Sequence, residues 1–325
     1  MQSIAKRNNT NKFIVLTFMA IIAVITYMLI DLNFENSRLL SFAMKIRFPK
    51  LIVMIIVSIS IGGASIIFQS VINNRIVTPC LLGMNSLYSL IHTAVVFFAG
   101  SASIIATNSN LSFAFDLILM AVVATTIYSY LFKKTKHNVL YVLLIGTVLT
   151  SLFTSIQTTL TRIMNPNEYD TLLSSLVASF NNINTEIIIF SIILLVLLAY
   201  ALRKELALLD VITLGKAQAI NLGVDYDVCI RKLLLGVTLC IAIATAMVGP
   251  ISFLGLIIAN LSRQLFKTYR HTHLILGSTL FGIIVLIGGQ IIVEHVYTYS
   301  MPISVFITVG GGIYFLYLLL TNRRV

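Results

Sequence analysis

The chain has 325 residues, 58% of them hydrophobic and only 10% charged, with a formal net charge of +11. A water-soluble domain carries roughly 25% charged residues, so a soluble domain of this size is excluded. The cations stand in short segments between long apolar blocks, a pattern that reports membrane topology rather than a nucleic-acid surface.

Blocks of roughly 18 or more apolar residues must be helices in a bilayer, because only a helix satisfies its own backbone polar groups in hydrocarbon. The first block runs from Phe13 to Ile30 after Lys6, Arg7 and Lys12. It leads into Asp31-Leu32-Asn33-Phe34-Glu35 with no small-x-small cleavage pattern, so it reads as a retained span rather than a signal peptide. Counting this one as 13–31, further spans are expected at 51–71, 79–99, 112–132, 139–160, 185–202, 231–249, 252–266, 274–292 and 303–320. The chain is therefore read as one all-α, polytopic transmembrane domain over residues 1–325, with about ten crossings.

Two connecting segments are long. Residues 162–184 hold the turn signal Asn165-Pro166-Asn167, and Tyr169–Phe180 is expected to form a short surface helix. Residues 203–226 carry Leu208, Leu209, Val211, Ile212, Leu214, Ile220 and Leu222 around the glycine stops Gly215 and Gly223. One or two short helices are expected there. A solvated linker does not need so many apolar side chains, so a partner protein is expected to cover them.

The cations test this topology. With both termini cytoplasmic, all the Lys and Arg residues except Arg38, Lys45, Arg47, Lys50 and Arg162 fall inside. Asp31, Glu35, Asp116, Glu168, Asp170, Glu186 and Glu294 fall outside or at outer helix ends. Removing one span would reverse every later loop and erase the bias, which supports an even count. The spans opening near Arg47 and Arg231 both run into small residues (Gly62-Gly63-Ala64 and Ala242 to Gly249) from opposite faces, as in an inverted repeat.

Several chemistries have no residues to support them. There is no GxxxxGK[ST] phosphate loop, since Gly215-Lys216 is followed by Ala217. Cys80, Cys229 and Cys240 form no CxxC pair, and His92, His137, His271, His273 and His295 are scattered. No metal or other cofactor is expected in this chain, and no hydrolase set is visible. The spans hold no acid at mid-depth, and His92 is the one titratable group well inside a span. The other interior polar groups are neutral, among them Gln69, Asn73, Asn85, Gln157 and Gln290. Ion-coupled transporters place ionisable residues in the membrane for their coupling ion. The energy for transport is therefore expected from a partner, and a stand-alone secondary transporter using His92 is the rival reading.

Four blocks then carry a family resemblance. The first runs from Ile46-Arg47-Phe48-Pro49-Lys50 through Gly62-Gly63-Ala64, Gln69, Asn73-Asn74, Pro79 and Leu81-Leu82-Gly83. The second is Leu214-Gly215, Ala217, Ala219 and Asn221-Leu222-Gly223-Val224. The third is Val248-Gly249-Pro250-Ile251-Ser252-Phe253-Leu254-Gly255, and the fourth runs from Met301-Pro302 through Gly310-Gly311-Gly312 to Arg323-Arg324. In this order and spacing they resemble the FecCD-type permeases, membrane subunits of ABC importers for iron–siderophore, haem and cobalamin.

The resemblance implies a permease subunit in a bacterial cytoplasmic membrane. A second permease subunit would stand beside it, with two cytoplasmic ATPase subunits holding ATP and Mg and an extracytoplasmic substrate-binding lipoprotein or periplasmic protein. The cargo implied is a ferric siderophore or related iron chelate, with haem and cobalamin as the family's alternatives. Leu214, Gly215, Lys216, Ala217, Ala219, Leu222 and Gly223 would form the loop that couples to the ATPase. Arg47 and Lys50 would dock the binding protein. Gly62, Gly63, Gln69, Asn73, Pro79, Gly83, Gly249, Pro250 and Gly255 would line or break helices along the path. The chain departs from the family where Lys50 replaces an Arg, where Gln290 and Glu294 replace an Asp and an Arg, and where Ala259 and Asn260 replace a Pro and a His.

Overall fold

The computed structural model describes residues 2–32, 37–100, 103, 108–134, 139–181, 183 and 185–321. Asn33, Phe34, Glu35, Lys136, His137, Arg323 and Arg324, used above, lie outside the described residues. The regular structure is helical throughout: α1 (Gln2–Leu29), α2 (Ser37–Ile72), a 3-10 turn (Pro79–Leu82), α3 (Met84–Ala99), α4 (Ser109–Lys134), α5 (Val139–Ile163), α6 (Pro166–Leu176), α7 (Thr185–Ala201), α8 (Arg203–Ala207), α9 (Leu209–Ile212), α10 (Lys216–Asn221), α11 (Tyr226–Val248), α12 (Leu254–Leu265), α13 (His271–His295) and α14 (Ile303–Thr321).

Seven of these helices, α1, α2, α4, α5, α11, α13 and α14, are long and apolar enough to cross a membrane. The protein is therefore an all-α polytopic membrane protein. α3 and α7 are apolar but shorter, and α12 has 12 residues. α3 is short because its span opens with Pro79, which starts a 3-10 turn, and Gly83 then joins turn to helix in the left-handed region (φ 91°). α12 is short because Gly249 and Pro250 end α11 and Phe253, also left-handed (φ 61°), starts the next helix.

The structure differs from expectation in two places. α2 begins at Ser37, well before residue 51, and carries Pro49 inside it. Its 36 residues span about 54 Å at about 1.5 Å each, more than the roughly 30 Å hydrocarbon layer. Its first turns expose Leu39, Phe42, Met44, Ile46 and Phe48, a composition suited to the interface. Residues 203–226 hold three short helices, α8, α9 and α10. α6 forms as a short helix with Pro166 in its first turn and the Asn165 side chain accepting from the Asn167 amide at 3.3 Å.

α2 is the centre of the bundle and packs on α11, α12 and α13, while α4 packs on α11 and α5 on α3. In α2 83% of the apolar window is buried; in α1 and α5 the share is 17%. The main core joins Val53, Met54, Val57 and Phe68 of α2 to Leu233, Val237 and Ile241 of α11 and Leu286 and Ile287 of α13.

Candidate functional site

The end of α2 is held by a knot of hydrogen bonds that includes one cation, Arg263. Gln69 donates to the Arg75 carbonyl at 2.8 Å, and Asn260 of α12 donates to the same carbonyl at 3.0 Å. Arg263 reaches back to Gln69 Oε1 (3.1 Å) and Ser70 Oγ (3.0 Å). Asn73 takes the left-handed conformation (φ 54°) that ends the helix. Gln69 and Asn73, read as path candidates, thus also fold the 73–78 turn that delivers Pro79.

That turn presses on α5. A Cβ at Gly83 would stand 2.7 Å from Thr150 Oγ1 and 3.3 Å from its Cα, so only glycine fits this left-handed position. Tyr128 of α4 donates to the Leu82 carbonyl at 2.6 Å and fixes the turn from the other side. Beyond the contact, α5 turns outward a face of Thr150, Ser151, Thr154, Ser155, Thr158, Thr159 and Arg162, which lines an open cavity of about 560 Å³. The hydroxyls of Thr150, Ser151, Thr154, Thr158 and Thr159 each donate to the carbonyl four residues back, at 2.7–3.1 Å. The hydrogens of these five are engaged, so they present acceptor oxygens beside Ser155 and the Arg162 cation. Spacing alone contains the signal, since Thr150, Thr154 and Thr158 form one i, i+4 column and Thr147, Ser151, Ser155 and Thr159 another. Sequence reading alone marks Arg162 and the neighbouring Gln157, and none of these hydroxyls individually.

The Gly249–Pro250 break lies against other motif residues. Val248 O accepts from the Ser179 amide at 2.9 Å. A Cβ at Gly249 (φ 92°) would stand 3.0 Å from the Ala178 Cα. Asn85 of α3 bonds Ser252 at 3.3 Å. Gly255 packs on Ser65 and Ile61 of α2, and Gly311 of α14 packs on Phe253. Gly62 meets Ser278 of α13, whereas a Cβ at Gly63 would come no closer to a neighbouring element than 3.9 Å, to Ile275. The first, third and fourth blocks, far apart in sequence, meet around α2 and α12.

The second block forms a separate surface. In residues 203–226, Leu209, Ile212 and Ala219 are buried and Leu214, Ile220 and Leu222 are exposed. A base anchored in the bundle thus carries an apolar tip. Gly215 (φ 104°) and Gly223 (φ 81°) bracket α10. Lys216 pairs with Asp227 at 2.9 Å on the exposed side, and Ala217 is exposed. At the root of the loop Glu205 accepts from Lys232 of α11 at 2.7 Å, and that hydrogen bond holds the Glu205 carboxyl below its usual range.

At the opposite end, Arg47 and Lys50 are both turned inward. Arg47 Nη1 donates to the carbonyls of Tyr27, Met28 and Ile30, at 3.2, 3.3 and 2.6 Å, and so caps the end of α1. Lys50 is 5% exposed and pairs with Glu294 of α13 at 3.0 Å. Glu294 also accepts from Gln290 (2.8 Å) and Tyr27 (3.3 Å), and Gln290 reaches Asn181 at 3.2 Å. His92 is likewise paired, with Asp116 Oδ2 of α4 at 2.7 Å, and Tyr88 stacks on its ring. Among the described residues no group of three or more His, Cys, Asp or Glu is placed to hold a metal ion.

A bundle of broken and continuous membrane helices with a helical loop at one end is a transporter architecture. Residues 12–321 match the FecCD transport family, and the chain belongs to it. It is 38% identical over 316 residues to the petrobactin import system permease protein YclO of Bacillus subtilis (strain 168), covering 97% of this chain and 99% of that one. It is 33% identical over 282 residues to the petrobactin import system permease protein FatC of Bacillus anthracis, covering 86% and 79%. The fold is similar to a solved metal-chelate-type ABC transporter in an inward-facing conformation, with a TM-score of 0.77 at 22% identity over 97% of this chain and 100% of that one.

Proposed function

We propose that this chain is the membrane-spanning permease subunit of an ATP-driven importer that carries a ferric siderophore of the petrobactin kind across the cytoplasmic membrane of a bacterium. The observation that carries the reading is the 38% identity to a petrobactin import permease over 97% of the chain. The seven long helices, together with the turn-plus-α3, α7 and α12, make ten crossings of one domain, arranged as an inverted repeat with both termini in the cytoplasm. Two such subunits, identical or different, stand side by side over two ATPase subunits that bind ATP and Mg and hydrolyse the nucleotide. A substrate-binding protein delivers the chelate from outside.

The hydroxyl face of α5 then lines the passage. Acceptor oxygens whose own hydrogens are engaged hold a passing solute weakly, and a solute in transit must also leave. Pro79 and Gly83 position that face, Gly249 and Pro250 set a helix break, and Gly62 and Gly255, with Gly63 next to Gly62, let α2 approach α13 and α12. Leu214, Leu222 and Ile220 dock in the ATPase, with Gly215, Lys216, Ala217, Ala219 and Gly223 shaping the loop. The binding protein docks over the outer ends of α1 and α2, where Arg47 and Lys50 stand, and reaching Lys50 requires opening its pair with Glu294.

Uptake of radioactive iron from ferric petrobactin tests the reading. A strain lacking this chain should lose uptake and regain it from a plasmid copy, and undiminished uptake in the deletion would reject this cargo. The buried His92–Asp116 pair supports one rival, a proton-coupled transporter working alone. Proton-driven accumulation by liposomes holding only this chain would select it.

A further inference from the structure

One acid of the loop, Asp210, with its side chain 42% exposed, reaches the buried start of a membrane helix. Asp210 lies in α9, whose Leu209 and Ile212 are 0% and 2% exposed. Its Oδ1 accepts from the backbone amide of His271 at 3.0 Å and also contacts His271 Nδ1. His271 is the first residue of α13 and is buried. The preceding residue, Arg270, gives α13 no side-chain cap. The first amides of a helix have no partner within it, and its N-terminal end is the positive end of its dipole. A carboxylate from the loop fills that place, so α9 caps a membrane helix from outside.

α13 is 25 residues long, about 37 Å at about 1.5 Å per residue, and reaches from this cap to the outer charged cluster. Its last turns carry Gln290 and Glu294, which hold Asn181, Tyr27 and Lys50. Along its length it is locked to α2. A Cβ at Gly282 would stand 2.9 Å from Ser58 Cβ, and one at Gly62 would stand 3.1 Å from Ser278 Oγ. Seams this close leave neither helix room to slide on the other. The loop's other ties, Glu205 to Lys232 and Lys216 to Asp227, go to α11 and do not touch α13.

We propose that Asp210 is the positioning residue through which movement of the ATPase-docked loop reaches α13, and that α13, moving with α2, carries it to the outer cluster of Lys50 and Glu294. This rests on residues 203–226 being the ATPase port. The test uses the whole complex, co-expressed with its ATPase and reconstituted with the binding protein loaded with ferric petrobactin. ATP hydrolysed and chelate imported are measured separately. Asp210→Ala removes the cap, while Asp210→Asn keeps an oxygen that can accept from the His271 amide.

Asp210→Ala should still co-purify with the ATPase and hydrolyse ATP. It should import about fivefold less chelate per ATP, the low end of an ordinary coupling between sites. Hydrogen exchange in the first turn of α13, His271 to Leu274, should quicken. Asp210→Asn should stay close to wild type in both measures. The inference is overturned by an unchanged import-to-ATP ratio in Asp210→Ala, by unchanged exchange in that turn, or by loss of the ATPase from that variant, which would make Asp210 part of the docking surface. A wild-type chain that brings down no ATPase would instead reject the ATP-driven reading itself.

Discussion

α2 and α5 are both long apolar helices with polar residues spread along them, yet they use those residues in opposite ways. In α2, 83% of the apolar window is buried, and Lys50, Ser58, Gln69 and Ser70 all lie inside the bundle. Lys50 pairs with α13, and Gln69 and Ser70 bond α12. In α5 only 17% is buried, and the hydroxyls bond back to their own helix, as Ser58 and Ser70 of α2 also do. Apart from a 3.5 Å contact from Thr154 to Ser86, however, they make no second tie to a neighbour such as Ser70 makes to Arg263. A polar group in a membrane span can join two helices or face a wet path. The first kind must be matched to a specific partner. The second kind must be left uncommitted. The contrast separates residues that build the bundle from the face that the proposed function assigns to the passage.

The sharpest way to break the contrast is to attack the buried pair. Lys50→Met leaves the Glu294 carboxylate in the bundle without its cation, and losing one member of a buried pair typically costs about 3–5 kcal/mol. The variant should show a large drop in thermal midpoint in detergent. Adding Glu294→Gln, which keeps an acceptor for Tyr27 and Gln290, should restore most of it. A single variant as stable as wild type would mean that Lys50 is not part of the structural core. The next largest effect is at the α2–α13 seam. Gly282→Leu places a side chain where Ser58 already stands, and overpacking of this sort costs about 1–3 kcal/mol. It should lower the yield of monodisperse protein, whereas Gly288→Leu, with no atom within 4 Å of its Cβ, should not.

On α5 the prediction reverses. Thr154→Leu with Thr158→Leu should change stability by less than about 0.5 kcal/mol, because neither hydroxyl bridges to another helix except for a 3.5 Å contact from Thr154 to Ser86. Iron uptake by the same double variant should fall steeply, and Thr158→Ser should retain it. Normal uptake in the double leucine variant would move this face from the passage to the lipid.

The sequence showed these two roles unequally. Apolar blocks marked the seven long helices and the apolar segment 203–226, because burial in lipid acts on composition that can be read locally. The apolar tip of Leu214, Ile220 and Leu222 followed from the same logic. The early start of α2 was hidden by Lys45, Arg47, Pro49 and Lys50, which look like a loop until Arg47 and Lys50 are seen to turn inward onto α1 and α13. Lys50 and Glu294 stand 244 positions apart, and His92 and Asp116 belong to different helices. Such pairings are set by packing, which one chain's spacing does not encode. The α5 face was overlooked for another reason. Each Thr is nearly neutral in hydropathy, so the helix passes for an ordinary apolar span, although the i, i+4 columns are written plainly in its sequence.

The smallest expected effect lies away from both helices, at the root of the loop 203–226. Glu205 is hydrogen-bonded by Lys232, and this lowers its carboxyl below the ordinary value of 4.5. A depressed acid stabilises the folded state above its unfolded pKa, and that contribution disappears as the pH falls through the folded value. Wild type should therefore exceed Glu205→Gln in stability at pH 7 by a constant margin that persists down to about pH 5 and shrinks only in more acidic solution. Thermal midpoints of both proteins across that range measure it. A margin that instead grew with acidity would mean that the folded carboxyl is raised, and that the loop's root is dry like the Lys50–Glu294 cluster rather than wet like the face of α5.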